Sequence, residues 1–389
     1  MDLFDKTKHV DKIKFMKESE LNPYFRPLSS RATGVVMMEG KKRYMLGSNN
    51  YLDLTSHPDV MKASINAIEK YGTSCSGSRF LNGTLEMHLE LERELAEFLH
   101  KEAALVFPTG FQTNLGIISA LVGTNDVVIL DNENHASIYD GARLSYGEIM
   151  RYEHSDMKDL ERQLQKVPDG FGALIVTDGV FSMSGEICNL PEICALSKKY
   201  GARVMVDDAH GLGVLGVGGR GTPSHFNLED QVDIYMGTFS KSLASLGGYM
   251  AAPKEVIDYV MYESRPYMFS ASMPPQSVAA ALAALRVLKT NPELPQKLSR
   301  VASYVRKCLR ERDIEIVNSA TPIIPVLTYD TLNTLTKSKE AYEAGVYVNP
   351  VLPPACKEGE GRLRISCIAS LTNEQIEDAC DILADVLLD

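Results

Sequence analysis

The sequence predicts an α/β protein: a mostly parallel central sheet with helices on both faces, followed by a small α+β unit. Two observations carry this. Between about residues 100 and 250, short apolar runs alternate with helix-like stretches of roughly ten to twenty residues, the spacing a right-handed crossover needs. After residue 287 the pattern changes to amphipathic helices enclosing short strand-like runs.

Taken in order, an amphipathic helix comes first. Leu91, Leu95, Phe98 and Leu99 recur at i, i+4, i+7 and i+8, with Thr84 as a candidate cap nearby. Candidate strands follow at 104–107, 126–130, 173–177, 203–206, 234–236 and 248–251. Helix-like stretches at 114–122, 157–167 and 191–200 lie between them. In the tail, Leu298, Val301, Ala302, Val305, Cys308 and Leu309 mark one helix. Thr372 with Gln375 three residues on is a capping-box pattern opening another, striped by Ile376, Ala379, Cys380, Leu383 and Val386. Strand-like runs at 323–327 and 363–367 fall between these helices. The expected organisation is an N-terminal arm (1–57), a large unit (58–286) and a small C-terminal unit (287–389).

Composition narrows the function. The 389 residues include 40 Lys plus Arg and 51 Asp plus Glu, a formal charge of −11, with 44% hydrophobic and 23% charged residues. These proportions are those of a soluble globular protein. The negative balance lacks the basic footprint of a nucleic-acid binder. The first fifteen residues mix both signs without an apolar run, so no secretory signal is expected. The apolar stretch 278–288 falls short of the about 20 residues a bilayer requires, leaving at most peripheral membrane contact. Seven cysteines without a CxxC pair read as reduced thiols of a cytoplasmic protein, with neither a disulfide frame nor a metal site. Residues 211–216 match GxGxxG, but Gly218, Gly219, Gly221 and Pro223 follow, so a loop is expected rather than a dinucleotide fingerprint.

In a sheet of this kind ligands sit beyond the carboxyl ends of the strands. Thr109, Gly110 and Phe111 follow the run at 104–107; His135 follows 126–130; Ser182 follows 173–177. Asp207, Asp208 and His210 follow 203–206, and Thr238, Ser240 and Lys241 follow 234–236. Each alone has an ordinary reading: a histidine there usually caps a helix, a lone lysine is usually a solvated charge, a glycine usually makes a turn. Together they suit pyridoxal phosphate (PLP). That cofactor needs a lysine for a Schiff base and a carboxylate that keeps its pyridinium nitrogen protonated; Lys241 and Asp207 are the candidates. Its phosphate would sit on a helix N-terminus, at the Gly110 and Phe111 N–H groups, with hydroxyls from Thr238 and Ser240. His135 could stack on the ring, and His210 could meet its phenolic oxygen.

The chain resembles the α-oxoamine synthases, PLP-dependent transferases of fold type I, the aspartate-aminotransferase fold. The motifs are YGTSCSGSRFLNGT at 71–84, PTGFQTNLG at 108–116, DDAHGLGVLG at 207–216 and GTFSKS at 237–242. The resemblance covers nearly the whole chain, from Ser48-Asn49-Asn50-Tyr51-Leu52 to Arg362-Leu363-Arg364-Ile365-Ser366. The resemblance implies Lys241 for the Schiff base, Asp207 for the pyridinium, His135 for the stack, Ser182 and His210 at the ring oxygen, and Thr238 at the phosphate. It implies a homodimer whose neighbouring subunit reaches the phosphate through Ser270 and Ala271. Arg364 matches the arginine gripping the amino-acid carboxylate, with Asn50 assisting.

The implied reaction condenses an amino acid with an acyl thioester and releases carbon dioxide, with Lys241 as the general base. SRFLNGT, RPYMFSASMPP and VYVNPVLPPA look most like the members that join L-serine to a palmitoyl-CoA-like long-chain acyl-CoA, opening sphingolipid synthesis. Members using alanine with a pimeloyl thioester, or glycine with acetyl-CoA, share the PLP residues but match these stretches less well. A member taking cysteate stays open. Two positions depart from the pattern: Leu352 stands where many members carry arginine before the Pro-Pro pair, and Asp53 where glycine is usual. The reading from another class is a non-catalytic partner subunit, a kind that lacks the lysine present here as Lys241.

Overall fold

In the computed structural model, which describes residues 2–8 and 10–388, strands β1 (Val35–Met38) and β2 (Lys41–Met45) precede the central sheet. Met1 and His9 of the expected arm, and Asp389 of the expected C-terminal unit, lie outside the described residues. The sheet takes β3 (Ala103–Phe107), β4 (Asp126–Asp131), β5 (Glu148–Tyr152) and β6 (Gly172–Asp178), then β7 (Arg203–Asp207), β8 (Ile234–Thr238) and β9 (Gly248–Ala252). Their order is β3-β9-β8-β7-β6-β4-β5. Strands β4 to β8 pair in parallel, and β9 runs against both β8 and β3.

Side chains of the inner strands alternate between two apolar layers. Val127, Ile129, Ile175, Val204 and Val206 pack into one cluster, whereas Val128, Leu130, Leu174, Val176 and Met205 pack into the other. A strand buried on both faces reads as a continuous apolar run, which is why these six were legible. The seventh, β5, was not. It is an edge strand of sequence EIMRY that pairs only with β4 and leaves Glu148 and Arg151 exposed.

Helix boundaries shift for local reasons. The helix expected at 114–122 spans Gly110–Leu121, because Thr109 caps it, its hydroxyl accepting the Gln112 N–H at 3.1 Å. The helix Glu86–Leu99 is not capped by Thr84. His88 Nδ1 accepts the Leu85 N–H at 3.0 Å, while the Thr84 hydroxyl donates to the Arg79 carbonyl at 2.6 Å. Residues 211–221 form an irregular glycine-rich loop, as expected.

In the tail, β10 (Ile323–Tyr329), β12 (Asn349–Val351) and β13 (Gly361–Ser366) form a second sheet, ordered β10-β13-β12; β11 (Val346–Tyr347) pairs with β2 instead. Strands of the N-terminal arm are thus stitched to the C-terminal part. Helix Pro275–Thr290 runs through residue 286, and helix Leu294–Glu311 follows. The last helix, Asn373–Leu388, opens on the expected reciprocal box: Thr372 N–H donates to Gln375 Oε1 at 3.1 Å and Gln375 N–H to Thr372 Oγ1 at 3.2 Å. Asp53 adopts the left-handed conformation, φ 56°, so the turn usually made with glycine is kept. Asp tolerates that region better than most residues because its short polar side chain bonds locally, here accepting from Asn50 Nδ2 at 2.9 Å. Leu352 is buried and apolar. Among the described residues no helix is long and apolar enough to cross a membrane, and no group of His, Cys, Asp and Glu could hold a metal ion.

Candidate active site

Because β9 alone is reversed, the carboxyl ends of β3, β4, β6, β7 and β8 open on one edge of the sheet. A cavity of about 260 Å³ lies there. Gly110 and Phe111 line it from the helix after β3, His135 from the loop after β4, and Ser182 from beyond β6. Asp207 and His210 enter from β7, and Thr238, Ser240 and Lys241 from β8. The first helical N–H groups of Gly110 and Phe111 have no intrahelical acceptor. Beside them, the Thr238 and Ser240 hydroxyls lie 2.9 Å apart. A Cβ on Gly110 would come within 3.0 Å of Thr238, so glycine keeps this cradle open.

Asp207 is buried and held from two sides. Asn114 Nδ2 donates to its Oδ2 at 2.7 Å, and the Ala209 N–H donates to its Oδ1 at 3.1 Å. Asn114 also donates to Ser137 Oγ at 2.8 Å. Asp178 stands opposite Asp207 in the β6–β7 register, its Oδ2 accepting the His135 N–H at 3.2 Å and its Oδ1 buried without a partner. Burial, then the Asp207 charge beside it, pushes the Asp178 carboxyl well above the usual carboxylate range.

Burial depresses the Lys241 amine to about 8, although Asp207 and Asp178 pull the other way. His135 caps the helix Ala136–Leu144, its Nδ1 accepting the Ser137 N–H at 3.3 Å. The ordinary capping reading and the cavity-lining one are both true of it. Burial lowers its pKa and that of His210, so both imidazoles are neutral near pH 7.

The remaining candidates do not line this cavity. Arg364, on β13, donates from Nε to the Ser182 carbonyl and from Nη1 to Asn49 Oδ1 at 3.2 Å. It is thus tied to the cavity wall through Ser182. The Asn50 amide donates to the Ala32 carbonyl, Asp53 Oδ1 and Thr55 Oγ1, all within 2.9 Å, and stabilises the turn carrying Asn49. Ser270 accepts from Gln112 Nε2 at 2.8 Å, and with Ala271 it lines a separate groove of about 490 Å³ beside Phe269 and Leu81. Sequence reasoning gave no role to Asn114, Ser137, Asp178 or Tyr51. Asn114 carried a signal, lying one helical turn beyond Gly110 and so on the same face.

The family profile for aminotransferase class I and II matches residues 41–383. The serine palmitoyltransferase of Sphingobacterium spiritivorum is 46% identical over 384 residues, 99% of this chain and 96% of the relative. An 8-amino-7-oxononanoate synthase of Thermoanaerobacter pseudethanolicus is 41% identical over 370 residues, 95% of this chain and 94% of that protein. A solved structure described as SPT with PLP internal aldimine superposes with a TM-score of 0.95 at 35% identity, covering 99% of this chain and 98% of the other. The chain belongs to the aminotransferase class I and II family, and within it to the PLP-dependent α-oxoamine synthases.

Proposed function

We propose that this chain condenses L-serine with a long-chain acyl-CoA, giving a 2-amino ketone of the 3-ketosphinganine type, carbon dioxide and free CoA. The observation that carries this is the 45–47% identity to four serine palmitoyltransferases along 95–99% of the chain, against 41–45% along 90–96% for the oxononanoate synthases.

The cavity suits PLP by its donor set: an open helix N-terminus and two hydroxyls for an anion, a buried carboxylate and a half-buried amine. When bound, that cofactor supplies a ring that accepts the electron pair set free at the amino acid's α-carbon. In this reading Gly110, Phe111, Thr238 and Ser240 hold the phosphate, and Asp207 keeps the ring nitrogen protonated. His135 covers one face of the ring, while Ser182 and His210 hydrogen-bond its phenolic oxygen. Arg364 receives the serine carboxylate, and Asn50 supports it through the turn bearing Asn49. Lys241 anchors the cofactor, and once free its neutral amine removes the α-proton, a task suited to a lysine whose pKa burial has lowered.

The reading includes a pair of chains. Phe269 and Leu81 are 73% and 81% exposed at the groove that also holds Ser270 and Ala271. An uncovered apolar surface of this kind suits an interface, from which Ser270 and Ala271 of a neighbouring subunit would reach the phosphate. A cytoplasmic location agrees with seven unpaired cysteines.

Two measurements test this. Serine, alanine, glycine and cysteate are each mixed with short- and long-chain acyl-CoAs, and thiol release is followed. Turnover is expected with serine and a long chain; release only with alanine and a pimeloyl thioester would replace the assignment. The second concerns pH. Only the neutral amine attacks an aldehyde, so the rate at which stripped protein takes up PLP covalently rises as pH passes through about 8 and then levels. A rate flat across that range would remove Lys241 from the role.

A further inference from the structure

His210 reaches the cavity with one ring nitrogen already engaged. Its Nδ1 lies 2.7 Å from the Tyr51 hydroxyl, and both residues are buried. The two rings meet edge to face, centroids 6.0 Å apart at 63°. Tyr51 is itself held in place, its carbonyl accepting the Ala369 N–H at 2.8 Å. The other acceptor near its hydroxyl is Asn49 Oδ1, which is farther away, at 3.4 Å, and already accepts from Arg364 Nη1 at 3.2 Å.

A phenol has one proton to give, and here the shorter contact is the one to His210. The imidazole is also kept uncharged, first by burial and then by the positive charges of Lys241 and Arg364. A neutral imidazole that accepts at Nδ1 carries its proton at Nε2. We propose that Tyr51 is a positioning residue that locks His210 in the Nε2–H form, so that His210 faces the cavity as a hydrogen-bond donor.

The consequence rests on the proposed function, in which His210 meets the cofactor's phenolic oxygen. A donor there favours the charged form of that oxygen, whereas the other tautomer would present a lone pair to it. Arg364, Asn49, Tyr51 and His210 then lie in one polar row from the carboxylate-binding arginine toward the ring oxygen, in which Tyr51 gives its single proton to His210 rather than to Asn49 Oδ1. The tautomer itself does not depend on that function, which allows the two ideas to fail separately.

The test labels the histidine rings of the full chain with nitrogen-15 and reads each ring nitrogen by long-range proton–nitrogen correlation. The protein is measured both loaded with PLP and stripped of it. His210→Asn identifies the signal. In the unsubstituted protein His210 is expected as Nε2–H in both forms. In Tyr51→Phe, which lacks only the hydroxyl, the Nδ1–H tautomer becomes appreciably populated. An Nδ1–H signal in the unsubstituted protein, or a Tyr51→Phe spectrum identical to it, overturns the proposal. Should Tyr51→Phe fail to fold, Asn49→Ala decides. Removing the competing acceptor leaves His210 wholly Nε2–H if Tyr51 governs it, and an Nδ1–H fraction there counts against the idea. A protein that keeps the tautomer yet takes up no PLP covalently would sink the function and leave the role of Tyr51 standing.

Discussion

Lys241→Ala is expected to lower kcat by about 10⁴-fold or more, since one amine serves both as the anchor of the cofactor and as the general base. The variant still takes up PLP, because the amides of Gly110 and Phe111, the hydroxyls of Thr238 and Ser240, and Asp207 are untouched. What disappears is covalent attachment: after borohydride, the protein mass shows no added cofactor. The fold tolerates the change, as no hydrogen bond or ion pair within the described residues depends on the Lys241 amine. Appreciable turnover of Lys241→Ala without an added amine would remove the residue from both roles. The same experiment separates the enzyme from a silent partner subunit, which would show neither colour nor borohydride trapping before the substitution.

The second large effect is expected at Asp207. Asp207→Asn removes a buried charge while keeping the side-chain shape, and kcat should fall about 10²–10³-fold, the scale of losing one preorganised electrostatic partner. Stability should hold. The carboxylate is buried beside Asp178, and neutralising it ends the cost of keeping an anion out of water. The new amide keeps an oxygen to accept the Ala209 N–H, but its nitrogen faces the Asn114 amide donor to donor, and the loss of that bond offsets the gain. An unchanged melting temperature together with a large loss of kcat is therefore the expected pair. A kcat within about tenfold of the original would show that the charge is not what the ring nitrogen needs.

These two effects differ in how far they were visible before folding. Lys241 and Asp207 stand directly after apolar runs, and the rule that ligands gather beyond strand ends selects them from sequence. The same rule found Gly110, His135, Ser182 and Thr238, which line one cavity. It did not find Asp178, whose significance comes from standing opposite Asp207 in the β6–β7 register. Nor did it find Tyr51, which lies 159 positions from the histidine it contacts. The edge strand β5 was invisible because three of its five side chains face water. Thr84 was misread as a cap because the nearby loop folds its hydroxyl back onto Arg79.

The sequence by itself determined which chemical groups arrive at the ends of the strands, since apolar runs and the polar residues that stop them are local and survive without neighbours. It also determined the family, through motifs whose spacing is set by those same turns. Strand order, and hence which ends adjoin, was decided by the tertiary structure. So were the proton affinities at the site: the Asp178 carboxyl pushed up, the Lys241 amine depressed to about 8, and the His210 imidazole pushed down with Tyr51 on its Nδ1. Protonation depends on burial and on charges a few ångströms away, and both exist only once distant segments have packed together.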